Sequence, residues 1–348
     1  MTIIKRPFRV YNSWKLTDLA TIPKNGLTVF SCFHCGGGSS MGYKLAGFNV
    51  LGGVELDPEI MSIYRANHHP KHSYLMGVQQ FNKIPLDDLP NELKNLDILD
   101  GSPPCSVFSM AGKREKKWGA EHHFREGQAK QKLDDLFFHF IEIGRRLQPK
   151  VIVAENVKGL VIGNAKGYVK EIFSAFCKAG YDTQLFLLNS ACMGVPQARE
   201  RTFFIAKRKD LDLPKLKLNF NESVVTLRKA LNGIKGNGKP LSPKAHLLWK
   251  NTIQGNSFSK AAGGSWFTWN RLAWDQPTPT IVSGSPPSHP DEPRHLSASE
   301  IIRIQSFPDD YNFLKTEPGY VMGMSVPPFM TQRVALEIGR QWFNMEYD

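Results

Sequence analysis

The chain has 348 residues, of which 41% are hydrophobic and 22% charged, and this globular mixture excludes a collagen-like or wholly disordered protein. Its formal net charge of +12 indicates a polyanionic partner. Its five cysteines, an odd number, argue against a disulfide framework and predict that the protein resides in a reducing cytoplasm. Because no apolar run approaches the roughly 18 residues of a membrane helix and the N-terminal segment lacks a long apolar stretch, we expect neither a membrane span nor a secretory signal.

Short apolar runs alternate with helix-like stretches over the first 190 residues. The predicted strands are residues 27–33, 50–55, 96–100, 151–155, 183–188 and 202–206. The predicted helices between them are residues 41–46, 130–147 and 170–179, the last of which ends at the C-cap Gly180. This alternation predicts an α/β fold with a mostly parallel, doubly wound, Rossmann-like sheet.

The composition changes after residue 207. Residues 208–270 contain eleven Lys and Arg residues against three Asp and Glu, so eight of the twelve net positive charges lie in less than a fifth of the chain. Helical patterns return from Ser299 and over residues 331–343. We therefore predict three segments, namely the first part of an α/β domain at 1–207, a basic lobe that faces phosphates at 208–270, and a return to the α/β domain with a C-terminal helix at 271–348.

A glycine-rich turn follows the first predicted strand. Gly36, Gly37 and Gly38 permit positive φ angles and a close approach of the backbone to a ligand. Glu55 ends the next strand, where a Rossmann-type fold places the carboxylate that holds ribose hydroxyls. Because the spacing differs from GxGxxG and predicts no pyrophosphate cradle, the pattern favours S-adenosylmethionine as cofactor. The alternative is a tight turn beside an ordinary acidic strand end.

A proline–cysteine loop follows the third predicted strand. Cys105 comes directly after Pro103 and Pro104, at the strand edge where open α/β sheets bind their ligands. The two prolines fix the direction of the thiol, and the basic residues that follow favour its thiolate form. The alternative is a small buried apolar residue, the commonest role of a lone cysteine. Since Cys32 and Cys35 have no second cysteine pair, we predict no metal.

Six blocks in chain order, spread over about residues 27–341, resemble DNA cytosine-5 methyltransferases. They are SCFHCGGGSSMGYKLAGF at 31–48, GSPPCSVFSMAGK at 101–113, Glu155-Asn156-Val157, GVPQARERTFFIA at 194–206, RLAWDQPTPTI at 271–281 and GMSVPP at 323–328. The chain departs from the family pattern at five positions. It has Ser31 and Val78 where the family usually has Asp, Cys35 where it has Gly, Ser106 where it has Gln, and Met324 where it has Asn.

The resemblance implies a class I S-adenosylmethionine-dependent methyltransferase that methylates C5 of a cytosine flipped out of a specific DNA site. It implies that Cys105 adds to C6, that Glu155 acts at N3, and that Arg201, with Arg199 nearby, stabilises charge at O2. Phe33 is implied at the adenine and Glu55 at the ribose, with Asp57 next in line. The full set of implied cofactor contacts is Phe33, Gly36, Gly37, Gly38, Glu55, Leu56, Val78, Pro104 and Ser325.

The resemblance also implies double-stranded DNA as substrate, a cytoplasmic monomer, and a restriction–modification or phage-protection role with a cognate endonuclease at the same site. Residues 208–270 correspond to the family's target-recognition region, whose aromatic residues either contact DNA or fill a small lobe. Those residues are Trp249, Trp266, Phe267 and Trp269.

Three alternative functions remain. They are a tRNA cytosine-5 methyltransferase of the same fold, an inactive DNA-binding regulator and an NAD-dependent oxidoreductase. The Ser-Val-Phe-Ser sequence after Cys105 argues against the first and the intact catalytic set against the second. The spacing of the glycines argues against the third.

Overall fold

The computed structural model describes residues 13–104, 121–122, 131–132, 135–162, 166–264, 266, 268–283 and 287–346. The main sheet consists of β1 (Thr28–Cys32), β2 (Asn49–Glu55), β3 (His72–Leu75), β4 (Ile98–Gly101), β5 (Val151–Val157), β6 (Tyr181–Asn189) and β7 (Glu200–Arg208). These seven strands lie in the order β3-β2-β1-β4-β5-β7-β6. Strand β7 runs antiparallel to both of its neighbours, whereas β1 to β5 are parallel. The predicted doubly wound, mostly parallel α/β sheet is thereby confirmed.

Helices cover both faces of this sheet. The α-helices in the described ranges are α1 (Gly38–Leu45), α2 (Pro58–His68), α3 (Val78–Phe81), α4 (Asn91–Lys94), α5 (Leu136–Leu147), α6 (Lys166–Lys178), α7 (Leu227–Ala230), α8 (Pro243–Asn251), α9 (Ala298–Ile304), α10 (Pro318–Met324) and α11 (Pro328–Trp342). Of these, α8 contributes to a separate small cluster and not to the cores on the sheet. None of the helices in the described ranges has the length and apolar character that a membrane crossing requires.

Each face of the sheet has its own apolar core. Successive strand residues point to opposite faces, so Phe203 and Ile205 of β7 join one cluster while Phe204 and Ala206 join the other. The first cluster includes residues of α1, α9, α10 and α11, and the second includes residues of α3, α5 and α6. This double burial explains why the strands read as short, nearly continuous apolar runs.

The helix boundaries follow from local signals. Asp57 accepts hydrogen bonds from the backbone nitrogens of Glu59 and Ile60 at 2.9 and 3.2 Å, and with Pro58 in the first turn it begins α2, which we had not predicted. Gly180, with φ of 97°, follows α6 as predicted. Helix α5 begins at Leu136, so its predicted start at residue 130 is wrong; residues 131–132 instead pair with 121–122 as a short ribbon.

The basic segment contacts two different cores. Leu216, Leu227 and Leu231 belong to the large cluster beneath α11. A separate small cluster contains Leu241, Ala245, Trp249 and Phe258, against which Trp266 and Trp269 pack. Contacts of Trp249 with the His289 carbonyl and of Trp269 with the His295 ring join this small cluster to residues beyond 270. The predicted lobe boundaries at 207 and 270 stay predictions.

Candidate active site

The predicted site residues converge at one edge of the sheet. Strands β1, β2, β4 and β5 are parallel, so their carboxyl ends meet there. The glycine turn follows β1, Glu55 ends β2, Pro103 and Pro104 follow β4, and Glu155 lies near the end of β5. Arg201 reaches the same edge because the antiparallel β7 begins there. Cys105 itself lies outside the described residues.

Glu155 and Arg201 form a buried ion pair at this edge. The Arg201 Nε lies 3.0 Å from the Glu155 Oε1, and the two side chains are only 11% and 10% exposed. In the register of the strand pair Arg201 faces Val157 and Phe203 faces Glu155, so the pair is diagonal on one face. Burial lowers the pKa of Arg201 and the charge of Glu155 opposes that shift. An acid and a guanidinium are therefore fixed side by side.

Asn156 fastens the proline–cysteine loop to β5. Its Nδ2 donates to the Pro103 carbonyl at 3.0 Å, while its own carbonyl accepts a bond from the Thr202 hydroxyl at 3.1 Å. Asn156 is 4% exposed, so both bonds are shielded from water. The chain that enters Cys105 is thus held beside Glu155. Our sequence reading gave Asn156 no role, although its place next to Glu155 was a usable signal.

Arg199 lies deeper than Arg201 and faces different partners. Its Nη1 donates to the Ile281 carbonyl at 3.1 Å and its Nη2 to the Gly323 carbonyl at 3.0 Å. The side chain is 2% exposed, and burial, with the nearby charge of Arg201, holds its pKa well below the usual range. The two arginines therefore have different partners. The Arg201 side chain pairs with Glu155, whereas the Arg199 side chain joins the segments of Ile281 and Gly323.

The three glycines make room for the protein itself. A Cβ at Gly36 would overlap the Val321 side chain, one at Gly37 the His68 ring, and one at Gly38 the Val326 carbonyl. Gly37 also has φ of 71°, a conformation that favours glycine. The requirement for glycine at these positions comes from α2 and from the segment around α10, which pack onto the turn. Our expectation that the glycines serve a close approach to a ligand does not account for these contacts.

Glu55 holds the glycine turn against the end of β2. Its carboxylate accepts backbone hydrogen bonds from Cys35 at 3.2 Å, Leu56 at 2.9 Å and Asp57 at 3.2 Å. Burial raises the pKa of Glu55, and the three N–H groups counteract that shift. A carboxylate has about four acceptor sites, so roughly one remains for a ligand. Asp57, the second candidate for the ribose, already caps α2.

The remaining predicted cofactor residues surround Glu55. Phe33, with φ of 54°, packs against the apolar cluster that contains Val78. Leu56 and Pro104 are half-buried at the ends of β2 and β4. Ser325 is 2% exposed, and its hydroxyl lies 3.7 Å from the Cys35 Sγ.

A buried pair of glutamines joins Ser325 to the catalytic strands. The Gln305 Nε2 donates to the Ser325 carbonyl at 2.8 Å, and Gln305 in turn accepts from Gln197. Gln197 lies three residues before the strand of Arg201, so one hydrogen-bonded chain connects the last sequence block with the fourth. Sequence reasoning had not assigned Gln305 to the site.

Comparisons with known proteins identify the family of the chain. The model of the family described as C-5 cytosine-specific DNA methylase matches residues 27–340. The chain is 28% identical to Type II methyltransferase M.NgoPII of Neisseria gonorrhoeae, over 90% of this chain and 96% of that protein. It is 30% identical to Type II methyltransferase M.FnuDI of Fusobacterium nucleatum, over 90% of this chain and 94% of that protein.

Solved structures share the fold. A protein described as a DNA modification methyltransferase encoded within a prophage of E. coli superposes with a TM-score of 0.72 at 21% identity, over 91% of this chain and 99% of that one. The S. pombe Dnmt2 methyltransferase superposes with a TM-score of 0.60 at 16% identity, over 90% of this chain and 99% of that one. Both similarities bear on the fold alone.

Proposed function

Because this chain belongs to the family of C-5 cytosine-specific DNA methylases, we propose that it transfers a methyl group from S-adenosylmethionine to C5 of a cytosine in double-stranded DNA. The observation that carries the proposal is the buried Glu155–Arg201 pair beside the loop that leads to Cys105. Stacked bases cannot reach these groups, so the target cytosine must be flipped out, at a cost of a few kcal/mol.

The chain's own residues activate the base. The Cys105 thiolate adds to C6, which converts the ring into an enamine whose C5 attacks a methyl group. Glu155 shares a proton with N3, and Arg201 donates to O2, so both neutralise the negative charge that develops on the ring. S-adenosylmethionine, when bound, supplies the methyl group. The C5 proton then leaves to a base, the C5=C6 double bond re-forms, and Cys105 is expelled as the thiolate.

Arg199 is assigned a positioning role. Its two terminal nitrogens are engaged with the carbonyls of Ile281 and Gly323, and it would have to give up these bonds to contact a base. These bonds join the segments of Ile281 and Gly323 to the residue that immediately precedes β7. Arg201 is therefore the arginine that we place at O2.

The donor set at the strand edge fits S-adenosylmethionine. The remaining acceptor site of Glu55 would take a ribose hydroxyl, and the apolar surface of Phe33 and Val78 would receive the adenine. The other residues that we place around the cofactor are Gly36, Gly37, Gly38, Leu56, Pro104 and Ser325. Since Val78 has no carboxylate, adenine selection by this residue rests on apolar contact.

Residues 208–270 are the segment that we propose for target recognition. Eight net positive charges suit a phosphate backbone, and exposed Lys244 and Lys250 of α8 lie on its surface. Packing of Trp249, Trp266 and Trp269 in the small cluster favours a structural role for these rings over direct contact with DNA.

The biological setting is inferred from the relatives, which are named Type II methyltransferases. We infer a cytoplasmic monomer that protects DNA at the site of a cognate restriction endonuclease. One experiment tests the function: the chain and its Cys105→Ser variant are expressed in a methylation-free host, and the DNA is sequenced after bisulfite treatment. We expect 5-methylcytosine at one recurring sequence with the wild type alone. Methylation of tRNA instead of DNA would contradict the proposal.

A further inference from the structure

Asp100 is a buried carboxyl group that no step of the proposed reaction uses. It lies on β4 and is 4% exposed. The Ser31 hydroxyl donates to one carboxyl oxygen at 2.6 Å, and the Tyr43 hydroxyl donates to the other at 3.3 Å. Within the described ranges no cationic side chain forms an ion pair with Asp100, so two neutral hydroxyls are its partners there.

The position of Asp100 connects the two loops of the site. Ser31 and Asp100 face each other in the register of β1 and β4. Gly36, the first glycine of the turn, lies five residues after Ser31, and Cys105 lies five residues after Asp100. The Ser31–Asp100 bond therefore joins the strand that carries the cofactor turn to the strand that carries the nucleophile.

A carboxyl group at this buried position costs free energy of folding when it ionises. Burial raises the pKa of Asp100 to about 7, and the negative charge of Glu155 on β5 contributes to the rise. The other titratable groups that interact with it are Cys32 of β1, Tyr43 of α1 and Tyr64 of α2. An amide could accept the Ser31 hydrogen bond without a buried charge. A hydroxyl donates a stronger hydrogen bond to an ionised carboxylate than to a neutral amide, so an amide at position 100 would weaken the bond that Ser31 makes at 2.6 Å.

The two positions are equivalent with respect to the strands that they join. Because positions 31 and 100 are direct partners across β1 and β4, a carboxyl group at either position can accept a hydrogen bond from a hydroxyl at the other. We propose that Ser31 and Asp100 act as one positioning unit, in which the ionised carboxylate fixes the end of β4, which leads to Cys105, against the end of β1, which leads to the glycine turn.

This inference rests on the proposed role of Cys105, and an exchange of the two residues tests it. We compare Ser31→Asp, Asp100→Ser and the double exchange in single-turnover methyl transfer to a DNA duplex. Each single variant is expected to be slower by roughly ten- to a hundredfold, as for a small misplacement of reacting groups, with DNA affinity within about twofold of the wild type. The double exchange is expected to recover most of the rate. A double exchange as slow as the slower single variant would overturn the proposal.

Asp97→Asn is the matched control. Asp97 immediately precedes the same strand, is also buried, and bonds to Thr28 and to Lys150 at the opposite edge of the sheet. Its loss is expected to lower the melting temperature without changing the rate of transfer. A rate loss equal to that of Asp100→Ser would show that any disturbance of β4 slows transfer, which overturns a specific role for the Ser31–Asp100 unit.

The pH profile separates positioning from folding. Asp100→Asn retains the shape of the side chain but cannot ionise. The ratio of the wild-type rate to the Asp100→Asn rate is expected to rise between pH 5.5 and 8, and melting curves at each pH establish that both proteins are folded. A constant ratio would overturn the role of the ionised form. If the wild type itself transfers no methyl group to DNA, the proposed function fails. If the wild type is active and the Ser31 and Asp100 variants transfer methyl groups at the wild-type rate, this inference fails alone.

Discussion

The Arg201 guanidinium and the Glu155 carboxylate lie diagonally across an antiparallel strand pair, 3.0 Å apart and almost shielded from water. Each compensates the charge that the other would leave buried. Removal of one partner from a buried pair costs on the order of 3–5 kcal/mol, because the remaining charge loses its compensation. The pair therefore holds the carboxyl group and the guanidinium side by side at the strand edge, where a flipped base can present N3 and O2 to them.

Glu155→Gln is predicted to lower the single-turnover rate of methyl transfer by about 10²- to 10⁴-fold, since an amide cannot share a proton with N3. Glu200→Gln is the matched control. Glu200 precedes Arg201 and pairs with Lys158 at the surface, where ion pairs contribute about 1 kcal/mol or less. We expect the control to transfer methyl groups at the wild-type rate. A Glu155→Gln rate within a few-fold of the wild type would remove Glu155 from the mechanism.

Cys105→Ser is predicted to abolish methyl transfer while DNA and cofactor binding persist, because a hydroxyl is a far weaker nucleophile than a thiolate. DNA that contains 5-fluorocytosine should form a denaturation-resistant complex with the wild type and none with the variant. Cys177→Ser changes an exposed cysteine on α6 and serves as the control, with trapping expected at the wild-type level. Normal trapping by Cys105→Ser would require a different nucleophile.

Local patterns made much of the fold predictable. The strands can be predicted from the sequence because their apolar runs are buried on both faces, as Phe203 and Phe204 show by joining opposite cores. The roles of the glycines and of Arg199 cannot be predicted in this way, because their partners lie far away in sequence. Val326 lies against Gly38, and Ile281 accepts a bond from Arg199. Such contacts exist only after the C-terminal segment has folded back onto the sheet.

Glu55→Ala is predicted to lower the affinity for S-adenosylmethionine by roughly ten- to a hundredfold, since one charge-assisted hydrogen bond contributes about 1.5–3 kcal/mol. Titration calorimetry measures the change directly. Asp57→Ala is the control, because Asp57 caps α2 and its loss should cost about 1 kcal/mol of stability with little change in affinity. The reverse result would transfer the ribose contact from Glu55 to Asp57.

Asp100→Asn is predicted to stabilise the protein increasingly as the pH rises. The pKa of Asp100 is about 7 in the folded chain and about 3.8 when unfolded, so the fold favours the protonated acid. The wild type therefore loses stability between about pH 4 and pH 7, by at most about 1.4 kcal/mol per pH unit, and the asparagine variant lacks this loss. Urea unfolding of both proteins from pH 5 to pH 9 measures the difference, which should level off above pH 8. A pH-independent difference would contradict the raised pKa.

The basic segment is predicted to bind DNA mainly through phosphates. If it does, the logarithm of affinity falls linearly with the logarithm of salt concentration, with a slope of about 0.9 per phosphate neutralised. Lys250→Gln on α8 should then weaken binding to all sequences alike and reduce the slope by up to about one unit. Lys83→Gln removes the same charge from an exposed position after α3, outside the basic segment, and should leave the slope unchanged. Equal slopes for the two variants and the wild type would mean that the lysine serves solubility alone. Exchange of residues 208–270 for those of a relative should change which cytosine is methylated, and an unchanged target would place recognition elsewhere in the chain.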